Sequence, residues 1–198
     1  MNRKDLERVP VAESFSASAG RDGYSGPDRT AAWLGFLEGK IPDFPEKALA
    51  DDLARLRRRM EMIRTDNTTA DTRLADYLLD FNPAATNALV NLTLGGYFAN
   101  GRVWVLHSRF RYFDPEKRRA GLPEDVGALV HTLGADSAAL TLVNTNPIES
   151  RTVSVQGGGY GEHQIVSATA GGKTMNVNGP VLTVRLEPGA GTRIEFKM

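Results

Sequence analysis

Residues able to do chemistry gather most densely in the stretch QGGGYGEHQ, Gln156 to Gln164, where four glycines, a tyrosine, a glutamate and a histidine fall within nine positions. A glycine loop binds phosphate when its amides converge at the start of a helix, whose dipole favours the anion. The dinucleotide and P-loop fingerprints therefore need strand, glycine loop and helix in that order. Here the strand-forming run QIVSAT follows, and no Gly-Lys-Ser/Thr ending is present. The stretch reads instead as a glycine-eased crossing between two strands, using positive φ and displaying Tyr160, Glu162 and His163 at one end.

Metal chemistry finds little support. The three histidines, His107, His131 and His163, are far apart in sequence. Glu162 adjoins His163, but neighbours on a strand point to opposite faces. With no cysteine, thiolate sites, disulfides and cysteine nucleophiles are excluded. No metal and no cofactor are expected. No Gly-x-Ser-x-Gly elbow marks a serine nucleophile. The paired carboxylates of a glycoside hydrolase meet in space rather than in sequence. Asp114, at the end of an aromatic-rich strand, and Glu162 with His163 are the candidates for such work, and each carboxylate has an ordinary reading as a turn or surface group. Trp104 and Tyr160 are the candidates for a sugar-binding aromatic platform. Trp104, however, shares the parity of Phe110 and Tyr112 on a strand face apolar enough to be core.

The elements that position these residues are legible in the pattern. Residues 1 to about 29 are rich in Ser, Gly, Asp and Arg, and read as an extended arm. Residues 30–100 read as a helical region. Asp28 or Thr30 caps a short helix holding Trp33, Leu34, Phe36 and Leu37, which stops near Gly39. A longer helix over 45–64 carries Leu49, Leu53, Leu56, Met60 and Ile63 at alternating steps of four and three. That stripe predicts the docking face, and leaves RLRRR, Arg55 to Arg59, on the solvated side. A third helix is predicted over 83–94, with Asn82 as N-cap and Gly95-Gly96 as its stop.

From residue 101 the period changes to two. VWVLHSRFRYF predicts a strand over 103–113 whose more apolar face carries Trp104, Leu106, Phe110 and Tyr112. Pro123-Glu124-Asp125 predicts a short helical insertion over about 123–133. Six further strands are predicted in AALTLVN, RTVSVQ, HQIVSAT, KTMNVN, VLTVRLE and TRIEFKM, separated by Asn-Pro, Gly-Gly, Asn-Gly-Pro and Pro-Gly. Short alternating strands so closely spaced predict an antiparallel β-sandwich, giving an α+β chain overall.

Bulk properties narrow the function classes. Twenty-four basic residues balance 24 acidic ones, so the broad positive field of a nucleic-acid binder is absent. No run of about 18 apolar residues suggests a membrane span. MNRKDLERVPVAESFSASAG has no apolar leader core, so a soluble chain, cytoplasmic by default, is expected.

LTLVNTNP, RTVSVQGGGYGEHQ and VLTVRLEPGAGTRIEF together resemble the C-terminal β-sandwich domains that follow catalytic domains in large bacterial carbohydrate-active proteins and related uncharacterised proteins. GKIPDFPEKALADDLARLRRRMEMIR, LVNLTLGG and RYFDPEKRRAGLPEDV are similar to segments of the same proteins. The resemblance implies a C-terminal region or small subunit associated with a larger partner protein, with carbohydrate as the ligand class. It carries over no catalytic residue. The competing expectations are a small sugar- or ester-directed hydrolase using Asp114, Glu162 and His163, or a carbohydrate-binding module.

Overall fold

The computed structural model describes residues 27–73, 82–83, 86–96 and 108–198. The arm through residue 26, Trp104, His107 and the first part of the 103–113 strand lie outside them. Three helices, α1 (Pro27–Leu37), α2 (Phe44–Thr65) and α3 (Asn87–Leu94), precede the strands. These are β1 (Phe110–Asp114), β2 (Arg119–Ala120), β3 (Val126–Leu133), β4 (Ser137–Asn144), β5 (Arg151–Gly157), β6 (Ile165–Ala170), β7 (Lys173–Gly179), β8 (Val181–Leu186) and β9 (Gly191–Lys197). All pairing is antiparallel, in a four-stranded sheet ordered β2-β1-β5-β8 and a five-stranded sheet ordered β3-β4-β9-β6-β7. The fold is α+β, with a C-terminal antiparallel sandwich.

Alternation builds the sandwich core. Phe110 and Tyr112 of β1, Val153 and Val155 of β5, Leu140 and Leu142 of β4 and Ile194 and Phe196 of β9 are buried together. Phe110 meets Phe196 across the two sheets with ring centroids 4.9 Å apart in a tilted pair, a geometry favoured by ring quadrupoles. Burying such side chains contributes roughly 1.5–3 kcal/mol each, the main stabilisation of a fold like this one.

The 123–133 segment is a strand, not a helix. Pro123 accepts the Val126 amide at 3.2 Å in a turn, Asp125 adopts φ 64°, and the chain enters β3 at once. β3 then pairs with β4 from Val126↔Asn144 to Leu133↔Ala138. Val126 and Val130 are spaced i, i+4, which puts residues on one face of a helix and equally on one face of a strand. Leu129, of opposite parity, points the other way and packs into a second core of Trp33, Phe36, Phe44, Ala48, Ala88 and Leu92. Thus β3 turns one face to the sandwich core and the other to the helical core. Gly95 ends α3 in the left-handed region at φ 64°, and a Cβ there would lie 2.9 Å from Cγ1 of Val130. Glycine is required twice over.

α2 extends over the predicted residues, but its orientation reverses the expectation. The buried face holds Phe44, Ala48, Asp52, Arg55 and Arg59. The apolar stripe is turned outward, with Leu49 41%, Leu53 46%, Leu56 38% and Ile63 46% exposed. Only Arg57 and Arg58 of the RLRRR arginines beyond Arg55 and Arg59 are solvated. The cause is α3. The Asp52 carboxylate accepts the Ala88 amide at 3.1 Å and faces Arg55 at 3.9 Å, while Arg59 donates to the Asn82 carbonyl at 2.6 Å. The first amides of a helix have no partner within it, so a buried helix start needs an acceptor from elsewhere. α3 begins at Asn87 with Thr86 as N-cap and no capping bond from its side chain, not at Pro83 behind Asn82. Asp52 supplies the acceptor instead.

Candidate functional site

The glycine loop leaves β5 in one sheet and enters β6 in the other, as a crossing between the two layers. Its path is held by backbone bonds. Gly157 donates to Pro180 at 2.8 Å, Gly158 to the Arg109 carbonyl at 2.7 Å, and His163 to Gly157 at 3.2 Å. Side chains complete it: Arg111 donates to the Gly159 carbonyl at 3.1 Å, and the Gln156 amide to Gly158 at 3.2 Å. Gly158, at φ 84°, carries no Cβ because one would collide with the Glu162 carboxylate.

Glu162 is where the phosphate-cradle question is answered. Its carboxylate accepts the amides of Gly159 at 3.2 Å and Tyr160 at 2.7 Å. The loop amides do converge on an anion, and that anion is the loop's own glutamate. Amide donors, first its own and then that of Tyr160, hold the Glu162 carboxyl below the usual carboxylate range, aided by neighbouring His163. A group held ionised in this way is a poor proton donor, the reverse of the raised acid that glycoside cleavage needs. Above it Tyr160 stands 80% exposed, its backbone fixed and its ring free.

Asp114 is elsewhere. Phe110, at the start of β1, pairs with Gly157 at the loop, whereas Asp114 closes the far end of the strand opposite Arg119. Four residues of strand, about 13 Å at the usual rise, separate the two ends. Asp114 is buried, accepts the amides of Glu116 at 3.1 Å and Lys117 at 3.0 Å, and sits 3.5 Å from the Arg119 guanidinium. It is the cap of the β1–β2 turn. The structure therefore brings Glu162, His163 and Tyr160 together and leaves Asp114 apart. His131 lies on β3, hydrogen-bonded to Thr141 of β4, with its imidazole pushed down by burial and by Arg193. Among the described residues no group of three or more His, Cys, Asp or Glu is placed to hold a metal ion, and no helix is long and apolar enough to cross a membrane.

Arg111 is a site residue that sequence reading does not single out. Its signal lies in parity: it alternates with Phe110 and Tyr112, so it leaves the core side of β1 and reaches the loop. The guanidinium also lies 5.2 Å from the ring centroid of Phe113, two residues along the same face.

Residues 18–90 match a family described as a domain of unknown function, DUF8034. The match covers α1, α2 and the start of α3, and ends before the sandwich. No curated protein matches the chain in sequence. Two solved structures align in part. One is a GH30 endoxylanase from Clostridium papyrosolvens C71, at 14% identity and TM-score 0.30 over 47% of this chain and 25% of that one. The other is a protein assigned as an alpha-N-acetylgalactosaminidase from Bacillus halodurans C-125, at 11% identity and TM-score 0.32 over 65% of this chain and 25% of that one. The chain spans about a quarter of the length of each.

Proposed function

We propose that this chain is a non-catalytic accessory unit that associates with and stabilises a larger, carbohydrate-active protein or domain. An arm over 1–29 and a helical region over 30–100 serve as the attachment side, and the sandwich over 101–198 as the folded platform. The observation that carries this reading is the use already made of both candidate carboxylates. Asp114 caps a turn at one end of β1, and Glu162 fills an amide cradle at the other, where donors keep it ionised. Both carboxylates are already engaged by backbone amides, and the strand between them keeps them from sharing one glycosidic bond. The carbohydrate part of the reading rests on the resemblance of the 140–196 segments.

The test has two arms. Purified chain incubated with aryl glycosides and aryl esters is expected to release chromophore only at the buffer rate. Turnover that disappears in Glu162→Gln would replace this reading with that of a hydrolase. Co-expression with the larger protein encoded beside or in frame with this chain is expected to give joint elution and a raised melting temperature. Independent elution with unchanged melting overturns the accessory role.

A second reading has its own observation. Tyr160 is an exposed aromatic ring on a loop braced by Glu162 and Arg111, the form that a sugar-stacking platform takes. In that reading the unit holds polysaccharide for its partner, and retention on polysaccharide affinity gels falls in Tyr160→Ala.

A further inference from the structure

The outward stripe of α2 has the geometry of a helix seam. Leu49, Leu53, Leu56, Met60 and Ile63 follow one another by four, three, four and three residues, the a/d repeat of two heptads. All but half-buried Met60 are exposed, and the adjoining face is committed to Ala88 and Asn82. A surface stripe of this kind marks an interaction site.

Charge along one flank of the stripe selects the occupant. Glu46 and Arg64 are eighteen residues apart, five full turns, so they lie on the same side of the seam at its two ends. Both are exposed, one acidic near the N-terminus and the other basic near the C-terminus. A helix with this arrangement complements a reversed copy of itself. Turned end for end, Glu46 of one copy meets Arg64 of the other at both ends of the contact. In that register Leu49 faces the Met60–Ile63 turn, and Arg57 lies beside Leu53, where its methylene stem covers apolar surface. The pair that Arg64 makes with Glu61, 3.6 Å long and exposed, is weak enough to exchange. The other flank, with Asp52 and Arg59, is buried within the chain; a parallel arrangement would set each exposed flank against that buried one and leave Glu46 and Arg64 unmatched with each other.

We propose that two copies of this chain associate through an antiparallel, two-fold pairing of α2, with the stripe as the contact and Glu46–Arg64 pairs closing its ends. The pairing does not require the accessory role; in an accessory unit it would leave the arm and the rest of the helical region for the larger partner. Its apolar area is a single helix face, so association is reversible and concentration-dependent.

Sedimentation velocity across a concentration series is expected to show a monomer–dimer equilibrium. Leu53→Glu, at a position already exposed, is expected to keep the circular dichroism and melting temperature of the parent and to weaken association at least about tenfold. Glu46→Arg is expected to weaken it, and Glu46→Arg combined with Arg64→Glu to restore it. Because the chain has no cysteine, orientation can be read with a short bismaleimide. A mixture of Leu49→Cys and Ile63→Cys chains is expected to cross-link, and Leu49→Cys alone not to. A monomer at every concentration overturns the second copy as occupant. Cross-linking of Leu49→Cys to itself overturns the antiparallel orientation.

Discussion

The carboxylate of Asp52, in the middle of α2, accepts the backbone amide of Ala88, in the first turn of α3, across 36 residues of sequence. A buried charge is tolerated when it meets donors that would otherwise go unsatisfied, and a helix start offers such donors together with the positive end of its dipole. The face of α2 that carries Asp52 is buried together with Arg55 and Arg59, and its leucines face outward.

Replacing Asp52 with alanine is expected to lower unfolding stability by about 2 kcal/mol, since the Ala88 amide loses its buried acceptor and Arg55 a nearby carboxylate. Asp52→Asn keeps an acceptor for Ala88 and is expected to lose less. Urea unfolding of the two variants is the measurement. Equal stability of Asp52→Ala and the parent would contradict the capping role.

Tyr112 joins the sandwich to α3, its hydroxyl donating to the Thr93 carbonyl at 2.6 Å. Tyr112→Phe is expected to cost about 1 kcal/mol, the net worth of one such bond. Burial pushes the Tyr112 phenol far above its ordinary value of 10.0. A folded-state value above the unfolded one means that the contribution is complete below pH 10 and declines as pH rises further. Ultraviolet titration is expected to find one tyrosine that ionises only on alkaline unfolding.

Asn144 is wholly buried, and its amide donates to the carbonyls of Glu149 at 2.8 Å and Glu187 at 3.2 Å while its oxygen accepts the Asn146 amide at 3.0 Å. Asn144→Ala strands all three groups and is expected to cost about 3 kcal/mol. Thermal denaturation should show it to be far more damaging than alanine at exposed Asn176 of β7.

For Glu162 the sign of the pH effect follows from its donors. Its folded value lies below the ordinary 4.5, so the loop gains stability from it above pH 4.5 and loses that gain as pH falls through the lower folded value. The amide resonances of Gly159 and Tyr160 are expected to move together with a midpoint below 4.5. In Glu162→Gln that titration should vanish, with global stability nearly unchanged because the carboxylate is exposed.

The strands were the most legible part of the chain. Each of the six segments from AALTLVN to TRIEFKM is a strand, because alternation of large apolar residues with small or polar ones is a local signal. The Asn-x-Asn-Pro ending of LTLVNTNP was legible as a motif, but its purpose was not. Asn146 accepts the amides of Ile148 and Glu149, both at 2.9 Å, and donates to Asp125 at 2.9 Å, so the two asparagines lock a loop between distant elements. The 123–133 misreading had a physical origin too. Val126 and Val130 fit both periodicities, and only the pairing of β3 with β4 selects the strand.

Of the candidate site, the sequence by itself determined its contents: a glycine-bearing crossing that presents Tyr160, Glu162 and His163. It also determined the six strands from AALTLVN to TRIEFKM and the span of α2, since prolines and periodicity act over a few residues. Tertiary structure alone decided that the crossing's cradle is filled by Glu162, that Asp114 stands at the other end of β1, and that α2 buries its charges. The reason is the same in each case. An amphipathic stripe or a loop amide states what it can pair with, but the partner is chosen by groups tens of residues away whose own donors must be satisfied.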